Sequence, residues 1–229
     1  MRSSKRRSSV RVVSIVGLAA LAATGPAATQ DAPAPTPPPA AERHEGDAAV
    51  EKELDGKRVR LNFPDTPLWE VVELLRDMLP VPVVVQGSVD RDASVVARID
   101  KEQPLRAALK AVAGAVGLEA RVWRGYLVLC PPGKKLPQPP EVRGDDETAR
   151  KLRDAEVSMG MEDLPLGEAL EFLVDVTELR LRATPEVAGR VLDLRVERLP
   201  LASVLDGVAV ATDTVWRVRG GEIVFEPAP

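Results

Sequence analysis

The sequence predicts an α+β protein made of two tandem modules, each running β-α-β-β-α-β-β. Three observations carry this. The chain resembles itself when slid by 98 residues. Its apolar residues switch between a period of two and a helical period in the same order in both copies. Pro-rich stretches bound the copies. At the 98-residue shift, Leu54 falls on Leu152, Asp65 on Asp163, Pro67 on Pro165, Leu68 on Leu166, Leu75 on Leu173 and Val89 on Val187. After a two-residue contraction, Pro104 falls on Pro200, Leu105 on Leu201, Leu109 on Leu205, Val112 on Val208 and Gly125 on Gly221. A periodic likeness that includes turn prolines and helix-core positions indicates repeated structural units.

Each element has a local reason. Residues 58–63 (RVRLNF) alternate, placing Val59, Leu61 and Phe63 on one strand face. Asp65-Thr66-Pro67 and Asp163-Leu164-Pro165 predict helix starts, with an Asp or Thr cap beside a first-turn Pro. Leu68, Val71, Val72, Leu75 and Met78 then recur at helical spacing, as do Leu166, Ala169, Leu170, Leu173 and Val176. Val83–Val85 forms a short buried strand after Pro80 and Pro82. Val95, Ala97 and Ile99 mark the next strand, matched by Leu192, Leu194 and Val196. Pro104 and Pro200 open the second helices. The copies close on hairpins turning at Arg124-Gly125 and Gly220-Gly221.

The ends and joints have a different composition. Residues 1–11 are basic, and Val12–Ala23 is a run of about a dozen apolar and small residues ending near Ala20-Leu21-Ala22. A basic start, a short apolar stretch and small residues at its end predict a signal peptide over 1–23. As a helix this run spans about 18 Å, short of a hydrocarbon core of about 30 Å. Residues 24–50 are predicted to be a Pro/Ala-rich disordered linker and 132–148 a second Pro-rich linker. Modules are expected over 51–131 and 149–229.

Composition narrows the chemistry. The chain has one Cys, Cys130, and one His, His44. An intramolecular disulfide and a Cys-based zinc cluster are therefore excluded. His44 falls in the first linker without a fixed partner, which leaves no base for a Ser-His-Asp or Cys-His site. The net charge is −4, and the first 23 residues hold five positive charges and no acid, so the rest carries −9. Such a body repels phosphate backbones and anionic lipid, so neither nucleic acid nor membrane binding by the modules is expected. Gly114-Ala115-Val116-Gly117 matches the G-x-x-G of nucleic-acid-clamping KH loops, but its place at a helix end predicts a C-cap.

The phrases VRLNFPDTPLWEVVELL with QPLRAAL, and VSMGMEDLPLGEALEFL with LDLRVERLPLASVL, resemble the short N-terminal (STN) domain of secretins and TonB-dependent signalling receptors. The resemblance covers about residues 54–130 and 152–227. It implies two helices between a two-stranded and a three-stranded sheet. It also implies a periplasmic module that docks envelope proteins, such as a secretin or receptor component, and that can self-associate. No cofactor or metal is implied, and no catalytic residue. The expected function is a non-enzymatic, exported docking component, periplasmic or outer-membrane-associated, of a secretin-type secretion or TonB-type signalling system. The alternatives are a signal-anchored periplasmic structural protein and a hydrolase using carboxylate chemistry.

Partner-binding candidates follow from faces. Glu70, Glu73 and Asp77 recur as Glu168, Glu171 and Asp175, all at i, i+3, i+7 on one helix face. Trp123 is expected to point outward beside Arg121, because Leu118, Ala120 and Val122 alternate inward; it reads either as a binding anchor, since exposed Trp is enriched at hot spots, or as an indole lying flat over its neighbours or covered by the other module. Trp216 is expected in the core. The acidic loop residues Asp90 and Asp92, and Asp145, Asp146 and Glu147, are expected to be solvated. Cys130 is expected to be a plain strand-end residue, with a partner-linked thiol as the alternative.

Overall fold

The computed structural model describes residues 11–13, 45–140, 142 and 147–229. His44, Asp145 and Asp146, together with most of the predicted signal peptide and of the predicted first linker, lie outside them. The fold is mixed α+β, with seven helices and several small sheets among the described residues. The first strand is β1 (Arg11–Val13). The N-terminal half continues with α1 (Glu45–Gly56), β2 (Arg58–Pro67), α2 (Leu68–Met78), β3 (Val83–Val85), β4 (Ser94–Pro104), α3 (Leu105–Ala115), β5 (Glu119–Trp123) and β6 (Tyr126–Cys130). The C-terminal half holds α4 (Glu147–Asp154), β7 (Glu156–Pro165), α5 (Leu166–Thr177), β8 (Arg180–Ala183), α6 (Pro185–Ala188), β9 (Val191–Pro200), α7 (Leu201–Ala211), β10 (Thr214–Arg219) and β11 (Glu222–Pro227).

In the N-terminal half β2 pairs antiparallel with β4, and a second sheet has the order β3-β6-β5. In the C-terminal half β7 pairs antiparallel with β9, and a second sheet has the order β10-β11-β8. The outer edge of β7 takes β1 as an antiparallel neighbour, with Arg11 opposite Gly160 and Val13 opposite Ser158. Both hairpins turn through two residues at positive φ, Arg124-Gly125 and Gly220-Gly221, the geometry that matches strand twist. Gly117 lies at φ 70, and the Leu118 N–H donates to Ala113 O at 2.8 Å, so the G-x-x-G is a helix C-cap.

Helix starts differ from the sequence expectation. Pro67, Pro104, Pro165 and Pro200 stand at the N-cap positions, and no side chain caps any of these helices. The first free N–H is met by main chain instead. Leu68 N donates to Ala93 O (2.9 Å), Leu105 N to Lys57 O (2.8 Å), Leu166 N to Arg190 O (2.7 Å) and Leu201 N to Ala155 O (2.8 Å). These bonds satisfy one of the four N–H donors that every helix start leaves without an intrahelical partner. Asp65 turns away and accepts from the Ser94 hydroxyl. A second difference is α1, which is helical from Glu45 and so takes in the end of the stretch predicted as disordered linker. Its Val50 and Leu54 are buried on the N-terminal core, as Ala149 and Leu152 of α4 are in the C-terminal half.

The β3-β6-β5 sheet joins the halves. Val83, Val85, Leu127 and Leu129 face α2 and α3, while Val84, Tyr126, Val128 and Cys130 belong to the core of the C-terminal half. A sheet apolar on both faces reads as continuous apolar runs, here VVV and YLVLC. The second face lies on α7, in which every residue from Ser203 to Ala211 is buried. Two glycines permit this approach. A Cβ on Gly207 would lie 2.6 Å from the Tyr126 hydroxyl oxygen, and one on Gly87 would lie 2.5 Å from Ala211 O. Gly87 N also donates to Val210 O across the joint at 3.2 Å.

Candidate docking surfaces

The two acidic helix faces meet different fates. On α2, Glu70 is exposed, whereas Glu73 binds Arg76 Nη1 at 2.6 Å. Arg76 in turn donates to Asp193 Oδ1 of β9 at 2.7 Å, and Arg91 reaches Asp193 Oδ2 at 3.0 Å. Asp77 lies 3.8 Å from Arg195, also on β9. The α2 face is thus partly taken up by the contact between the halves. On α5, Glu168, Glu171 and Asp175 are all exposed and have no ion-pair partner among the described residues.

Trp123 is not the free aromatic anchor that strand alternation suggests. Leu118, Ala120 and Val122 do pack on the N-terminal core, but the opposite side of β5 faces the C-terminal half. Trp123 is half-buried and packs against that second core. Arg121 beside it is exposed and donates to Lys134 O at 2.8 Å. Cys130 is buried on the same sheet face, which removes it from the reach of a partner's thiol and raises its pKa by desolvation. Trp216 is 2% exposed, in the core as expected.

The most unusual electrostatics lie where α7 meets the β5–β6 hairpin. Asp206 is 1% exposed. Its Oδ1 accepts from Trp216 Nε1 at 2.8 Å. Its Oδ2 is 2.8 Å from Arg124 Nε, close enough for an ion pair but out of line for a hydrogen bond, so neither atom has a hydrogen-bond partner. Burial pushes the Asp206 carboxyl up to about 6, against the opposing pull of the Arg124 charge and the Trp216 N–H. Next to it the Tyr126 hydroxyl donates to Ser203 O at 2.8 Å, and burial followed by the Asp206 charge lifts its pKa well above the usual value. Asp206 is not among the residues that the sequence expectations single out. The available signal was a lone acid inside the otherwise uncharged helix LASVLDGVAVA.

No three His, Cys, Asp or Glu side chains among the described residues could hold a metal ion together. Asp90 and Asp92 form a local turn, with Asp92 N donating to Asp90 Oδ1 at 3.0 Å. A cleft of about 240 Å³ runs between the α2–β3 segment and β9, with Leu79, Val81 and Val196 on its walls. Its ionisable side chains are Arg76, Arg195 and Glu197, and Arg76 is already bound to Glu73 and Asp193.

The remaining surfaces are sheet edges and one charged sheet face. The outer side of the β10-β11-β8 sheet, opposite Trp216, Ile223 and Phe225, carries Arg182 on Glu222 (2.8 Å) and Arg219 on Glu226 (2.7 Å). The edge of β7 already holds a strand, whereas the equivalent edge of β2 pairs with nothing among the described residues. Comparison with protein-family models, with curated proteins and with solved structures finds no match to this chain.

Proposed function

We propose that this protein is an exported, non-enzymatic docking component of the bacterial envelope, made of two copies of a module like the short N-terminal domain of secretins and TonB-dependent receptors. Support for the repeat comes from the element order and pairing. A two-stranded antiparallel pair and a mixed three-stranded sheet occur in each half, at the aligned positions. Docking proceeds by strand addition, and the observation that carries it is the β7 edge. That edge pairs antiparallel with Arg11–Val13, the mode by which an extended segment joins an open sheet. Those three residues belong to the predicted leader, so its removal opens the edge to a partner in the envelope.

The test places a photo-crosslinking residue at Gly160, where an added Cβ meets nothing within 4 Å. The expected result is an adduct with an envelope protein in the periplasmic fraction, suppressed by a synthetic peptide of residues 8–16. An adduct insensitive to the peptide, or retention of the whole protein in the cytosol, overturns the proposal.

A further inference from the structure

We propose that Asp206 is a proton-operated latch between the two halves: proton uptake tightens the seat of the β5–β6 hairpin on α7, and proton loss loosens it. The inference is independent of the docking function. It rests on where the carboxylate sits. Asp206 is on the C-terminal half, yet the cation facing it, Arg124, is on the N-terminal half. With the halves together the carboxylate is cut off from water, one oxygen has no hydrogen bond, and its counter-charge is misaligned. With the halves apart it is hydrated, and an ionised carboxylate then has its ordinary stability.

Arg124 and the Trp216 N–H offset this charge only in part, and the other groups around the latch are engaged elsewhere or exposed. The hairpin contributes Arg124 and Tyr126, and Asp47 of α1 holds the same turn by accepting from Gly125 N at 2.7 Å. From β10 comes the Trp216 N–H, and Arg217 is directed to Glu226. The β3 strand is VVV, and α7 has no second ionisable side chain. On α4, Glu147 pairs with Lys151, while Arg150, Arg153 and Asp154 are exposed. On β9, Asp193 is held by Arg76 and Arg91, and Glu156 of β7 lies by Arg198.

The sign follows from linkage. Burial pushes the seated carboxyl up to about 6, above the usual value of about 3.9 for a free aspartate. The stabilisation of the seated form is complete below the free value and is lost as pH rises through the seated one. Between pH 5 and 7.5 these values change the seating equilibrium about tenfold.

Cys130 supplies the probe, since it is the chain's one cysteine and is buried in the joint. The rate at which a thiol reagent labels it in the native full-length protein measures unseating. The rate is divided by that of Asp206→Asn at each pH, which removes the reagent's own pH dependence. The ratio is expected to rise about tenfold from pH 5 to 7.5. Arg124→Gln removes the counter-charge and should shift the rise to higher pH, whereas a merely structural arginine would raise labelling equally at every pH. Parallel profiles for wild type and Asp206→Asn overturn the proposal. If Asp206→Asn does not fold, an Arg124→Gln profile with an unmoved midpoint overturns it.

Discussion

Gly207→Ala isolates the contact between the halves. In an unobstructed helix the change from Gly to Ala stabilises by about 0.5–1 kcal/mol, because Gly loses more backbone freedom on folding. At Gly207 the new methyl would lie 2.6 Å from the Tyr126 hydroxyl oxygen and 2.8 and 2.9 Å from two ring carbons. The ring is wholly buried and its hydroxyl is bound to Ser203 O, so it has nowhere to swing. Overpacking of this kind costs about 1–3 kcal/mol, and displacing the hydroxyl from its acceptor costs about 1 kcal/mol more. The expected net loss is about 1–3 kcal/mol. Gly114→Ala is the internal control. It sits in α3, with nothing within 4 Å of its Cβ, and should gain about 0.5–1 kcal/mol. Urea unfolding reads both, and the cycle with Tyr126→Phe should recover part of the Gly207→Ala loss. A Gly207→Ala protein as stable as the control would refute the seating of Tyr126 on α7.

Leu75→Ala and Leu173→Ala occupy matching positions and are 1% and 0% exposed, so each should cost about 2–5 kcal/mol in chemical unfolding. Trp123→Ala should lower stability by about 1–3 kcal/mol, since the indole is half-buried against the second core; an unchanged melting temperature would show that it is free. Asp193→Ala leaves the 5%-exposed Arg76 side chain with Glu73 as its remaining acid, and should cost about 1–3 kcal/mol and speed hydrogen exchange at Gly87.

What the sequence revealed was whatever a single element decides alone. The period of two in RVRLNF, the helical stripe Leu68–Leu75 and the two-residue turns at Gly125 and Gly221 all have local causes, and each lies where expected. The helix caps were misjudged because the acceptors, such as Lys57 O for Leu105 N, come from residues distant in sequence. The helix α1 has only Val50 and Leu54 fully inward, too few apolar positions to show a stripe. The alternation of β5 turns Trp123 away from Val122 and so decides one sheet face. It could not show that the other face is covered. Two traces of the cover were present: the unbroken apolar run YLVLC, and Gly207 standing where the aligned N-terminal sequence has Ala111.

The sheet that is apolar on both faces also shapes how the chain comes into being. Ribosomal synthesis delivers the N-terminal half first. Its own helices can cover Leu127 and Leu129 at once, but Val84, Tyr126, Val128 and Cys130 wait for α7, roughly eighty residues later, or several seconds at ordinary synthesis rates. Throughout that interval the nascent chain displays an adhesive patch, and a holding factor that shields it until α7 arrives would raise the yield of folded protein.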